Sequence, residues 1–295
     1  MKIATTTGDF TKFTSQQDAM KYIANAGFKY VDYNFCIDWR RKDGFYGENP
    51  EEHLESIKET AKKLGLTFVQ AHAPMGRPLT EPEVVEATKY SIKISAELGV
   101  KNLVVHAGWE EGMGKEENFA KNKLFFNDVL KVAEEYDVNI LLENFNIMCI
   151  ENTYWADNAP DILEMVEMVN HPLFHVCWDT GHGNQQPLSQ YESVKIIGKH
   201  LYALHVHDNQ GLDSHLIPFF GSVNYDALMY GLFEIGYKGY FTFEADNMFL
   251  QPFERKTFEK DDRLMLVPLE LRIQAESLLY NIGKHILTSY DCFEE

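Results

Sequence analysis

Short apolar, β-branched runs alternate along the chain with longer stretches in which apolar residues recur every three or four positions. The first run is 2–6. Helical period follows from about Ser15, with Ala19, Met20, Ile23 and Ala24 on one face, until Gly27. A run at 30–33 leads to a helical pattern over 51–64, where Leu54, Ile57 and Ala61 are spaced by three and four and Gly65 stands just past the end. The unit then returns as 66–72 with 81–98, 103–106 with 116–136, 139–144 with 160–169, 174–178 with 189–199, 201–207 with 225–235, and 240–244 with 269–286. That is eight strand–helix units of about 37 residues each. Strict alternation predicts parallel strands joined by right-handed crossovers. Eight such units predict the α/β class and one closed (β/α)8 TIM barrel, with 1–295 as a single domain. An open doubly wound sheet would have fewer strands and a glycine-rich phosphate turn; the sequence contains neither GxGxxG nor a Walker loop. The polar stretch 248–264 reads as a long loop or a short extra helix after the eighth strand.

Charge narrows the partners. Acidic residues outnumber basic ones 45 to 27, for a net charge of −18. A surface this negative repels phosphate backbones and anionic lipid, so neither nucleic acid nor membrane is an expected partner. No run approaches the ~20 apolar residues of a membrane span. The N-terminal MKIATTTGDF has no apolar signal-peptide stretch. Cys36, Cys149, Cys177 and Cys292 form no CxxC pair and read as reduced thiols. A cytoplasmic location is the expectation, and a homo-oligomer stays open because rim aromatics could form a dimer contact.

In a barrel of this kind the C-terminal strand ends share one mouth. Six successive runs end in His72, His106, Glu143, Asp179, His207 and Glu244, separated by 34, 37, 36, 28 and 37 residues. Histidine and carboxylate are the ligands that suit Zn, Mn, Co or Fe(II). Carboxylates buried together are costly without a cation to neutralise them. Singly, each has a plainer reading: a strand-end glutamate as a solvated loop residue, His72 as a hydrogen-bonded pocket residue. Six matching terminations together favour chemistry. His205 lies in register with His207 and reads as barrel filling one layer deeper. Asp213 and His215, two apart beyond the seventh strand, could reach one cation or be polar loop residues. Trp109, Trp178, Phe35, Trp39, Phe145 and Phe10 could stack on a sugar or cap the core. Arg77 and Lys115 are the basic residues expected near the mouth, among many more acids.

These residues resemble those of the xylose isomerase-like barrels, which include sugar isomerases and epimerases, inosose-processing enzymes and endonuclease IV. The likeness covers about 2–286. Its most specific pieces are LLENFN around Glu143, CWDTGHGN around Asp179 and His182, LHVHDN around His207, DSHLIPFFGSVNYD from Asp213, and FTFEAD around Glu244. It implies one divalent metal (Mn, Zn, Co or Mg) on Glu143, Asp179, His207 and Glu244. It implies that Glu143 and Glu244 also carry a proton at the carbon beside a sugar carbonyl. His182, His72, His106, Trp109, Asp213 and His215 are then the substrate-side residues. The implied activity is isomerisation or epimerisation of a sugar, sugar phosphate or inosose-like ketone, with the sparse basic residues tilting toward a neutral sugar. Two positions depart from the ketose 3-epimerases: Asp213 stands where they carry arginine, and Cys149 where they carry a second glutamate. The alternative is a metal-dependent hydrolase or lyase, including an endonuclease IV-like phosphodiesterase with up to three zinc ions on His72, His106, Glu143, Asp179, His182, His207, Asp213, His215 and Glu244.

Overall fold

The computed structural model describes residues 1–146, 155–249 and 267–295. Eight parallel strands form one sheet: β1 (Ile3–Thr6), β2 (Tyr30–Asn34), β3 (Thr67–His72), β4 (Asn102–Val105), β5 (Asn139–Glu143), β6 (Phe174–Asp179), β7 (Leu201–His205) and β8 (Phe241–Phe243). The order is β7-β6-β5-β4-β3-β2-β1-β8. Past the end of β7, Val206 N–H donates to Thr242 O (2.8 Å) and Glu244 N–H to Val206 O (3.1 Å). These bonds carry the ladder across the remaining gap, so the fold is the (β/α)8 barrel that the alternating pattern predicts.

The main crossover helices are α2 (Gln16–Ala26), α4 (Pro50–Leu64), α5 (Pro82–Glu97), α6 (Lys115–Tyr136), α7 (Ala159–Val169), α9 (Gln190–Ile197), α10 (Tyr225–Glu234) and α11 (Leu269–Ser289). Local chemistry sets their ends. Ser15 caps α2 by accepting from Asp18 N–H, and Gly27 ends it at φ 110°. Ser189 and Glu192 make a reciprocal capping box on α9. Three short helices follow strands and were not legible from periodicity: α1 (Gly8–Thr11), α3 (Cys36–Arg41) and α8 (Thr180–Gly183). Each is too brief to display a repeat of 3.6 residues, and each shapes the mouth. Of the stretch 248–264, all but Met248 and Phe249 lies outside the described residues, as does Cys149. Cys36, Cys177 and Cys292 are free thiols.

The core has two parts. The larger fills the space between barrel and helices. The smaller is a plug inside the barrel made of Val104, Leu141, Cys177 and Ala203, contributed by β4, β5, β6 and β7. Side chains alternate along a strand, so the next inward residue on each is two positions on. Those residues are His106, Glu143, Asp179 and His205. The polar floor of the mouth therefore rests directly on an apolar layer.

Candidate metal centre

On the β3–β5 side, His72 Nε2 and His106 Nε2 are 3.1 Å apart, and each is 3.2 Å from Glu143 Oε2. Ligands ~2.0–2.1 Å from a tetrahedral cation are separated by roughly 3.3 Å, so this triangle is the size of one face of such a site. His72 Nδ1–H donates to the Ala73 carbonyl (2.7 Å), which aims Nε2 into the barrel.

On the β6–β8 side, His207 Nε2 is 3.0 Å from Asp179 Oδ1. Asp213 Oδ1 is 3.2 Å from His182 Nε2 and 3.0 Å from His215 Nε2. Here too the far ring nitrogens are tied to main chain: His182 Nδ1–H donates to Asn144 O (2.9 Å) and His215 Nδ1–H to Glu244 O (2.8 Å). A carbonyl can only accept, so the tautomer is fixed with Nε2 facing inward.

The local sequence explains how these groups arrive. Asp179 caps α8 by accepting from His182 N–H (2.6 Å), which holds the Asp-x-x-His pair on one short turn. Asn144 brackets β5 to β6, donating to Asp179 O (2.9 Å) and accepting from Asp179 N–H (2.7 Å). Gly181 lies against His207, where a Cβ would fall 1.9 Å from the imidazole Cε1, so only glycine fits. The loop carrying Asp213 and His215 is folded around Asp208. The Asp208 carboxylate accepts from Asn209 N–H (2.8 Å), Phe219 N–H (2.9 Å) and Val223 N–H (3.0 Å).

Beneath both sides sits a buried network centred on His205, the residue whose strand position reads as barrel filling. His205 places Nδ1 2.5 Å from Glu143 Oε1 and 3.4 Å from Glu244 Oε2. Its Nε2 is 2.9 Å from Asp32 Oδ2, and Gln70 Nε2 donates to the same Asp32 oxygen (2.8 Å). Glu143, Asp179, His205 and Glu244 offer ligand atoms within 4.8 Å of one another, whereas His207 groups with His182, Asp213 and His215. In the quartet that the resemblance implies, His207 stands one layer above His205, the last residue of β7, and meets the other three through Asp179 at 3.0 Å. Alternation along β2 and β3 was the signal that would have found Asp32 and Gln70.

Burial works against charge throughout. On His182 it is overcome by the Asp179 and Asp213 carboxylates, which lift the pKa to about 9. On His106 burial wins, and the pKa falls to about 3. Glu143 is held well below the ordinary carboxylate range: burial is outweighed by the imidazoles of His205 and His106. Glu244 moves up, through burial and the nearby Glu143 charge. Two carboxyls of one mouth are thus driven in opposite directions.

Glu143 Oε2, Asp179 Oδ2, His182 Nε2 and His207 Nε2 are buried without a hydrogen-bond partner. Buried polar atoms that meet a neighbouring carboxylate or imidazole without a well-formed hydrogen bond are costly in a chain alone. Their N and O character, burial and spacing fit one or more divalent cations.

Above the ligands opens a cavity of about 280 Å³ lined by His72, His106, Glu143, His182, Asp213, His215 and Glu244. Phe145 also lines it. The other expected aromatics do not: Trp109 lies under Arg77 with 5.1 Å from guanidinium carbon to ring centre, Trp39 under Lys42, and Trp178, Phe10 and Phe35 are wholly buried. Lys115 is consumed by Asp161 and Glu164 at 2.6 and 3.0 Å. The cations that reach the cavity are Lys12 and Arg40.

The chain is thus an eight-stranded parallel barrel with histidine and carboxylate groups clustered at its mouth. The family model for the xylose isomerase-like TIM barrel matches residues 20–260, and the chain belongs to that family. The chain is 27% identical over 231 residues to a probable endonuclease 4 of Staphylococcus epidermidis, covering 70% of this chain and 76% of that one. It is 28% identical over 170 residues to an uncharacterized protein of Methanocaldococcus jannaschii, covering 56% of this chain and 57% of that relative's length. Among solved structures, a D-tagatose 3-epimerase-like protein superposes with a TM-score of 0.75 at 20% identity, covering 99% and 98% of the two chains. Two of the three carry enzyme names, of two different kinds, and at these identities the comparisons show family and fold. Among the described residues no helix is long and apolar enough to cross a membrane.

Proposed function

We propose that the protein is a divalent-metal isomerase or epimerase that moves a proton at the carbon beside the carbonyl of a small sugar or sugar-derived ketone. The observation that carries this reading is the Glu143–His205–Glu244 arrangement: two carboxyls face one cavity with an imidazole between them. Glu143, Asp179, His207 and Glu244 are the residues that would hold the catalytic cation, with His72 and His106 beside Glu143. A divalent cation there supplies positive charge that polarises a carbonyl and stabilises an enediolate. Glu143 and Glu244 are the proton carriers: one carboxylate accepts a proton from the substrate carbon and the other side of the site returns one. Such positioned proton transfer contributes about 10²–10⁴-fold. His182 and His215 orient substrate oxygens, and Phe145 covers an apolar sugar face. A cavity of about 280 Å³, just under the ~300–1,000 Å³ range of ligand pockets, suits a monosaccharide-sized ligand.

The test is proton exchange. With Mn²⁺ loaded, a panel of ketoses in D₂O gains deuterium at the carbon next to the carbonyl, read by NMR. No exchange with any member, at confirmed metal loading, sinks the reading. A second reading, phosphodiester hydrolysis, has one observation in its favour: His72–His106–Glu143 and His182–His207–Asp213–His215 are separate ligand groups, enough for more than one ion. The likeness to a probable endonuclease 4 agrees with it. The net charge of −18 opposes it. Elemental analysis separates the two, about one metal per chain against about three zinc ions.

A further inference from the structure

The cavity runs from its buried histidine and carboxylate floor to an exposed arginine, Arg40. Its route is α3. Cys36, at the start of that helix, sits 3.6 Å from His72 Nδ1 through its sulfur. Arg40 is one turn further on, about 6 Å along the axis, and lines the same cavity.

The neighbouring cations are already engaged. Lys12 pairs with Asp246 at 2.7 Å. Arg41 donates to Lys12 O at 3.2 Å. Lys42 lies over the Trp39 ring at 2.9 Å. Among the described residues Arg40 has no carboxylate within ion-pair distance, no hydrogen-bond acceptor and no ring beneath it, although Asp213, Glu244 and Asp246 line the same cavity. In a chain with 45 acidic residues, a guanidinium left unpaired beside an acid-rich cavity is an open position for a ligand's negative charge. The planar fork of arginine matches the oxygens of a phosphate or carboxylate in a bidentate way.

Resting on the proton-transfer reading above, we infer that the substrate is a sugar derivative with an anionic terminal group, a phosphate ester or a carboxylate, whose charge is met by Arg40 while its carbonyl end faces Glu143 and Glu244. This shifts the expectation drawn from the scarcity of basic residues along the chain, which pointed to a neutral sugar. Scarcity along the chain is no obstacle when one unpaired cation lines the cavity itself.

The experiment is calorimetric titration of the Mn²⁺-loaded protein with D-fructose, D-fructose 6-phosphate and 5-keto-D-gluconate at fixed ionic strength, in wild type and Arg40→Gln. The expected result is that one charged ligand binds at least ~10-fold more tightly than D-fructose, and that Arg40→Gln erases the preference while leaving D-fructose unchanged. Which charged ligand gains tells phosphate from carboxylate. Arg40→Lys retains part of the preference. Equal binding of all three, or an equal loss on all three in Arg40→Gln, overturns the inference. If D-fructose exchanges its proton while the charged ligands are ignored, this inference falls and the proton-transfer reading stands. If none of the three binds and no ketose exchanges, both fall.

Discussion

The two sides of the mouth present similar ligands by different means. On the β3–β5 side, His72 and Glu143 are the last residues of strands, and His106 follows one by a single residue. Their positions are set by the ladder. On the β6–β8 side, Asp179 closes a strand, but His182 rides a four-residue helix and Asp213 and His215 come from a loop wrapped around one carboxylate, Asp208. His215 even adopts a left-handed backbone, φ 45°. The first half is stiff by construction. The second depends on a few side chains, and so is the half in which substitutions can separate folding from ligation.

The largest break comes at the residue that links the halves. Glu143 touches His72, His106 and His205, so Glu143→Gln is expected to lower bound metal below one ion per chain and to cut proton exchange by about 10³-fold. Elemental analysis with the exchange assay reads both. Next is Asp208→Ala, which removes three backbone contacts of the loop at once. Ketose binding should weaken because His215 loses its place, while the metal on Glu143, Asp179, His207 and Glu244 is kept, and limited proteolysis should open the loop between 209 and 222. Loss of the metal together with the loop would erase the contrast. Gly181→Ala should act more mildly, because the added Cβ meets the His207 ring. Overpacking of that kind costs about 1–3 kcal/mol, visible as a lower Tm.

The smallest effect lies away from both sides. Glu276 on α11 is buried against Asp9, and burial raises its pKa from 4.5 to about 7. The folded chain holds a proton that the unfolded chain releases. The associated stability is therefore full below about pH 4.5 and lost as pH rises to about 7. Glu276→Gln should flatten the Tm profile across that window and leave metal binding on both sides of the mouth unchanged.

The stiff half was also the readable half. Strand runs that stop at His72, His106 and Glu143 announce both their element and their chemistry, because a strand end and a period of two leave little freedom. The barrel itself followed from repetition for the same reason. His205 misled: a histidine inside an apolar strand looks like filling until its neighbours across the barrel are known. Those neighbours, Asp32 and Gln70, are 173 and 135 positions away in the chain. Trp109 misled in the opposite direction, since nothing in its local sequence tells that Arg77 covers it. Arg40 escaped notice because α3 is only six residues long and carries no periodic signature.

Three imidazoles at this mouth, those of His72, His182 and His215, are anchored through Nδ1 to main-chain oxygens of Ala73, Asn144 and Glu244. Peptide oxygens are present whatever side chain a position carries. The aim of these rings is consequently indifferent to mutation around them, and the walls of the pocket are at liberty to drift. A scaffold wired in this way can change what it recognises over evolutionary time while its electrophilic heart stays in place.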